Sequence, residues 1–181
     1  LFEIINCAHS PTLDVLMFYI TMMGEAYVIV GVLLLLLLFK RLRNLEYFTI
    51  AVVANVLPMI AQQVLKSYFD RPRPLNFFST APWLHRLDHW PELYGRSFPS
   101  GHSEGAFAFF CILTLLLPPR FKAFGFVFFL LAFAVCYSRI YLTAHFFEDT
   151  YAGSMIGVIV PTLCFLLFKP FVRKLSVAEE Q

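Results

Sequence analysis

The chain has 181 residues, 59% of them hydrophobic and 14% charged, with a formal charge of +2 at pH 7. Soluble domains run about 45–50% apolar and about 25% charged, so this composition excludes a disordered chain and an ordinary soluble domain. No dense basic stripe accompanies so small a net charge, which argues against nucleic acid as a partner and for an integral membrane protein of one domain, residues 1–181.

The chain opens on Leu1 rather than Met, which leaves room for residues ahead of it. Its first apolar stretch lacks the basic flank and the small-residue cleavage site of a signal peptide. Uncharged runs then recur along the chain, and a spanning helix takes about 20 mostly apolar residues. With their flanks, the runs predict five spanning helices, at about 22–39, 46–68, 102–118, 121–142 and 147–168. Residues 11–21 either extend the first helix or lie along the interface within an interfacial segment 1–21, so the spans number five or six. Cys111, Cys136 and Cys164 sit inside apolar runs and Cys7 stands alone. With no Cys-x-x-Cys pair, they read as small hydrophobes and not as a metal cage or a disulfide framework.

Basic residues orient the spans. Lys40, Arg41 and Arg43 follow the first helix, Arg120 and Lys122 join the third to the fourth, and Lys169, Arg173 and Lys174 lie in a tail, 169–181. The positive-inside rule puts these eight in the cytoplasm, against six on the other side: Lys66, Arg71, Arg73, Arg86, Arg96 and Arg139. The long loop 70–98 falls on that outer side and carries Trp83, Trp90, Phe77, Phe78, Tyr94 and Phe98. Such aromatic residues suit the headgroup level, and a loop of this length is more often functional than decorative.

The six outer basic residues need a reason to be there. Lys66 and Arg73 follow the second helix, Ser100, Gly101 and His102 open the third, Ser138 and Arg139 near the end of the fourth, and His145 and Asp149 open the fifth. Charge at membrane depth is costly and reads as functional by default. Lys66, Arg73 and Arg139 supply three cations, and a guanidinium can grip phosphate oxygens in pairs. Pro99-Ser100-Gly101-His102 reads as a turn feeding a helix N-terminus, which favours an anion. A phosphate fits this set better than a carboxylate, and a metal ion fits poorly among so many cations; no cofactor is expected. His145 and Asp149 are four apart and share a helix face, so the carboxylate can fix one ring nitrogen and leave the other as nucleophile or base. His102 is then the complementary acid. Nearby, Arg71 is expected as an interfacial charge paired with Asp70, with contact to the phosphate as its alternative. Glu104, about 200° around an ideal helix from His102, is expected to face away. Glu25 is expected to snorkel to the interface, with a site arginine as its other candidate partner.

Lys66-x6-Arg73-Pro74, Pro99-Ser100-Gly101-His102 and Ser138-Arg139-x5-His145-x3-Asp149 resemble the three motifs of the type 2 phosphatidic acid phosphatase family, at all eleven specified residues. The resemblance implies an all-α membrane bundle related to the vanadium haloperoxidase core. It also implies metal-independent hydrolysis of a lipid phosphate or diphosphate. His145 would form a phosphohistidine, Asp149 orient it, and His102 protonate the leaving group. Lys66, Arg73, Ser100, Gly101 and Arg139 would hold the phosphoryl oxygens, with Ser138 beside them. Undecaprenyl diphosphate is the first substrate implied, followed by phosphatidic acid, phosphatidylglycerophosphate and lipid A. The location implied is a bacterial inner membrane with the site on its extracytoplasmic face. The alternatives are a lipid phosphotransferase using the same phosphohistidine and a non-catalytic headgroup-binding or transport protein.

Overall fold

The computed structural model describes residues 1–38, 45–88 and 90–178, and every regular element among them is helical. Lys40, Arg41 and Arg43 of the expected cytoplasmic turn lie outside the described residues, as do residues 179–181.

The helices, in chain order, are α1 (Phe2–Cys7), α2 (Pro11–Met22), α3 (Ala26–Leu36), α4 (Leu45–Phe69), α5 (Pro74–Phe78), α6 (Gly101–Leu116), α7 (Phe124–Tyr141) and α8 (Phe147–Ala178), with a 3₁₀ turn at Pro119–Phe121. Helices α4, α7 and α8 are long and apolar enough to cross a membrane, and α2 with α3 makes a further crossing if the pair counts as one bent span. At 16 residues, α6 is shorter; it ends ahead of Pro118 and Pro119, which cannot continue it. The expected span 121–142 begins later, at Phe124, because residues 119–121 form the 3₁₀ turn. The expected span 147–168 coincides with the apolar part of α8, Phe147–Phe168, and the helix continues beyond it to Ala178.

The first expected span is corrected most. Residues 11–22 form a helix of their own, started by Ser10, whose hydroxyl accepts from Leu13 N at 3.3 Å, and by Pro11 at the first helical position. The chain then turns by 62° before α3 descends from Ala26. At the turn Gly24 lies against α6 and α7: a Cβ there would lie 2.7 Å from the His102 carbonyl oxygen and 3.0 Å from Val135 Cγ1.

Helix α6 is the centre of the bundle, packed by α3, α4, α7 and α8. Its Ala106, Phe109 and Ile112 join Ile29, Leu33, Ala54 and Val135 in the core. The closest approach is to α8, where a Cβ on Gly157 would run into the carbonyl oxygen of Glu104 and one on Gly153 into that of Ser100. Small residues four apart let two membrane helices meet backbone to backbone. This contact fixes the opening of α8, with Asp149, against the opening of α6, with His102. Gly157→Ala should therefore cost about 1–3 kcal/mol of overpacking and lower the melting temperature in detergent by several degrees. Gly31→Ala, with nothing within 4 Å of its added methyl, should not. Equal melting temperatures for the two variants would contradict this packing.

Candidate active site

The site forms where α4, α6, α7 and α8 end or begin on one side of the bundle. Ser100 caps α6, accepting from Ser103 N at 3.4 Å and from the Ser103 hydroxyl at 3.0 Å. Its own N–H donates to the Asp149 carbonyl at 2.9 Å, which ties this turn to α8. Gly101 lies over Gln62, whose Nε2 is 3.3 Å from where a Cβ would stand. Gln62 in turn donates to the Pro99 carbonyl at 3.4 Å.

Arg73 precedes α5 and is buried. Its Nε donates to the Gly95 carbonyl at 2.8 Å and its Nη1 to the Ala144 carbonyl at 2.9 Å. The stretch 94–97 lies alongside it, with Arg73 N donating to Tyr94 O at 2.8 Å and Ser97 N to Arg71 O at 2.7 Å. Arg139, 2% exposed, donates to Thr21 Oγ1 at 2.8 Å and lies 5.2 Å from the centre of the Trp90 ring. Its Nε has no partner, and an unpaired buried N–H of a cation is costly. Ser138 is fully buried, and its hydroxyl donates to the Val135 carbonyl of its own helix at 2.6 Å. Lys66 forms no ion pair among the described residues. It is within electrostatic reach of Arg73, Arg139 and Asp149.

His145 and Asp149 are both fully enclosed. The ring Nδ1 is 3.5 Å from Asp149 Oδ2 and 3.3 Å from the Ser97 hydroxyl, which itself donates to Asp149 Oδ2. The other nitrogen, Nε2, is 3.3 Å from Arg73 Nη1. A guanidinium only donates, so Nε2 must be the acceptor and the ring proton belongs on Nδ1, toward the carboxylate. Burial pushes the His145 imidazole well below its usual value, and Arg73, Arg139, Lys66 and His102 add to that effect. Both effects favour the neutral imidazole, whose Nε2 faces Arg73.

Across the site, His102 Nε2 is 2.9 Å from Glu25 Oε1, so Glu25 partners the second histidine and neither snorkels nor pairs with an arginine. Arg71 does not pair with Asp70: it reaches Asp149 Oδ1 at 3.1 Å and Glu148 Oε2 at 3.8 Å, over the Phe146 ring. Glu104 does not face away. It is 2% exposed, its Oε1 has no partner, and it lines the same cavity as His102, because a central helix has no outward face. That cavity, about 470 Å³, runs between α3, α4 and α6. Lys66, His102, Glu25 and Gln62 stand at one end, and Ile29, Leu33, Phe48, Val52 and Val56 line the rest. Sequence reasoning missed Ser97 and Trp90 as site residues; neither belongs to a motif, and only the return of the 79–100 loop brings them in. Among the described residues no three His, Cys, Asp or Glu side chains gather as a metal site.

A PAP2 superfamily model matches residues 16–173, nearly the whole chain. The chain belongs to this superfamily. Among curated relatives, an undecaprenyl-diphosphatase from Sulfolobus acidocaldarius is 33% identical over 162 residues, 87% of this chain and 71% of that protein. The crystal structure of Aquifex aeolicus LpxE superposes with a TM-score of 0.74 at 32% identity, over 91% of this chain and 92% of that one. A Bacillus subtilis PAP2-type phosphatidylglycerolphosphate phosphatase, at 22% identity and a TM-score of 0.68 over 96% and 83% of the two chains, shares the fold. As a PAP2 protein this chain is an integral membrane phosphatase of lipid phosphates, and a phosphohistidine intermediate is general to its family.

The charge state of His145 is open to direct measurement. In ¹⁵N-histidine NMR of the detergent-solubilised protein at pH 6, the signal missing from His145→Gln should be that of a neutral ring protonated on Nδ1. An imidazolium signal at that pH, where a free histidine is largely charged, would contradict the burial and the Arg73 contact.

Proposed function

We propose that this protein removes phosphate from a lipid phosphate or diphosphate, with undecaprenyl diphosphate as the leading substrate. The reaction takes place on the extracytoplasmic face of a bacterial inner membrane. The observation that carries this reading is the acceptor Nε2 of His145 facing Arg73, with Arg139 and Lys66 in electrostatic reach, and with Lys66 and His102 at one end of an apolar cavity. A phosphoryl group held by the three cations presents phosphorus to Nε2, while the lipid tail lies along Ile29, Leu33 and Val52 between α3, α4 and α6. Phosphoryl transfer depends mainly on positioning and charge stabilisation, and buried cations with spare donors, such as Arg139 Nε, supply both.

In the first step Nε2 bonds to phosphorus as the bridging P–O bond breaks, and His102 gives the leaving oxygen a proton. In the second, water attacks phosphorus, the P–N bond breaks and His102 takes the proton of water. Asp149 holds the Nδ1 proton throughout and stabilises the positive ring as it forms. Support for the substrate comes from the named Sulfolobus relative, and support for the face comes from the distribution of basic residues.

The test uses sealed right-side-out vesicles carrying the protein, given short-chain, impermeant lipid monophosphates and diphosphates from outside. Phosphate should be released without permeabilisation, fastest from the polyprenyl diphosphate, and His145→Ala should release none. Release only after permeabilisation would overturn the face, faster release from a phospholipid phosphate would overturn the substrate, and undiminished release by His145→Ala would overturn the mechanism.

A further inference from the structure

Both site histidines carry a carboxylate on one ring nitrogen, yet only one of the two pairs lies within a motif. His145 meets Asp149 four residues away, whereas His102 meets Glu25 from 77 residues away in sequence. The second pair is built by the bend between α2 and α3. Glu25 caps α3 in an extended conformation, its N–H donating to Met22 O at 3.0 Å and its carbonyl accepting from Val28 N at 3.1 Å and Ile29 N at 3.0 Å. Gly24, just before it, is pressed on the His102 backbone and leaves no room for a side chain. The backbone thus holds Glu25 in place and aims its carboxylate at the first turn of α6. Its side chain is 32% exposed and that of His102 21%, and both line the cavity end that also holds Lys66.

We propose that Glu25 is the positioning residue for the general acid: by engaging Nε2 of His102, it leaves Nδ1 as the nitrogen that passes a proton to the leaving oxygen. Among the described residues His102 Nδ1 makes no hydrogen bond, so it is available to substrate. The proposal rests on His102 acting as the acid, as set out above. In the first step the Nδ1 proton of the imidazolium moves to the bridging oxygen while His145 bonds to phosphorus. The neutral His102 keeps its Nε2–H on Glu25, and Nδ1 is then placed to accept the proton of the attacking water. Glu25 stays ionised throughout, so protons balance over the two steps.

A positioning role for the acid has a signature that a structural role lacks: its loss matters in proportion to how badly the leaving group needs a proton. An alkyl lipid monophosphate expels an alkoxide, which needs one, while p-nitrophenyl phosphate expels a stable phenolate, which does not. The first step is isolated by following leaving-group release within a single turnover, because the water step, in which His102 also acts, is the same for both substrates. Wild type, Glu25→Gln, His102→Ala and the double variant are compared on both substrates over a range of concentrations. Glu25→Gln should slow first-turnover release of the alcohol from the alkyl phosphate about tenfold or more, part of the roughly 10²–10⁴ that a positioned acid contributes. Its apparent affinity for either substrate and its first-turnover release of p-nitrophenolate should stay near wild type, and the double variant should be no slower in this step than His102→Ala alone.

Equal losses on the two substrates, or losses that multiply in the double variant, would overturn the role of Glu25. If His102→Ala itself shows no leaving-group dependence, the acid assignment beneath the proposal fails instead. The first-turnover burst of p-nitrophenolate from the same sample reports folding. If Glu25→Gln does not fold, Glu25→Asp takes its place, with a smaller loss that must again be confined to the alkyl phosphate.

Discussion

Asp149 is the joint on which the site depends. Its backbone oxygen accepts from Ser100 N, which fixes the start of α6 against the start of α8. Its carboxylate accepts from the Ser97 hydroxyl and Phe146 N, meets Arg71, and stands beside His145 Nδ1. A fully buried carboxylate with one partner would be a heavy cost, but with its lone pairs shared among four groups it becomes a rigid anchor. His145, the 94–97 stretch and the helix that carries His102 are therefore positioned by one side chain and its carbonyl. Loss of that joint would loosen all three together.

Around this anchor the structure tolerates an unfavourable concentration of positive charge. Arg73 and Arg139 are buried, Lys66 has no ion-pair partner among the described residues, and Arg139 keeps an unpaired Nε. The carbonyls of Gly95 and Ala144, Thr21 and the Trp90 ring hold the two guanidiniums in place without neutralising them. An apolar protein would not retain such a cluster for stability, since unpaired buried charge is destabilising. The cluster makes sense as a site whose missing counter-charge arrives with the substrate, and the cavity beside it continues into apolar lining where a lipid tail belongs. Burial, and after it the same cations, push the His145 imidazole well below its usual value.

Much of this was legible in the sequence, because helix ends and short spacings are local. The runs at 46–68 and 147–168 were apparent as spans, and Ser100-Gly101-His102 was apparent as the opening of a helix. His145 and Asp149 could be paired because four residues on a helix share a face. What could not be read depended on distant segments meeting. Nothing near Glu25 announces that a bend at Gly24 brings it to His102, and nothing near Ser97 links it to His145, 48 residues on. Glu104 was misread for a related reason: its angle relative to His102 was sound for an isolated helix, but α6 is enclosed on every side. Arg71 was assigned its neighbour Asp70 when the fold offered it Asp149 instead.

In the proposed reaction Nε2 of His145 becomes bonded to phosphorus. To test this, the protein is mixed with ³²P-labelled lipid phosphate, quenched in denaturant at alkaline pH within one turnover, and the label located by peptide mass spectrometry. An acid-labile, base-stable phosphoramidate is expected on His145. Turnover with no labelled protein at any quench time, or a label on His102 in place of His145, would contradict it.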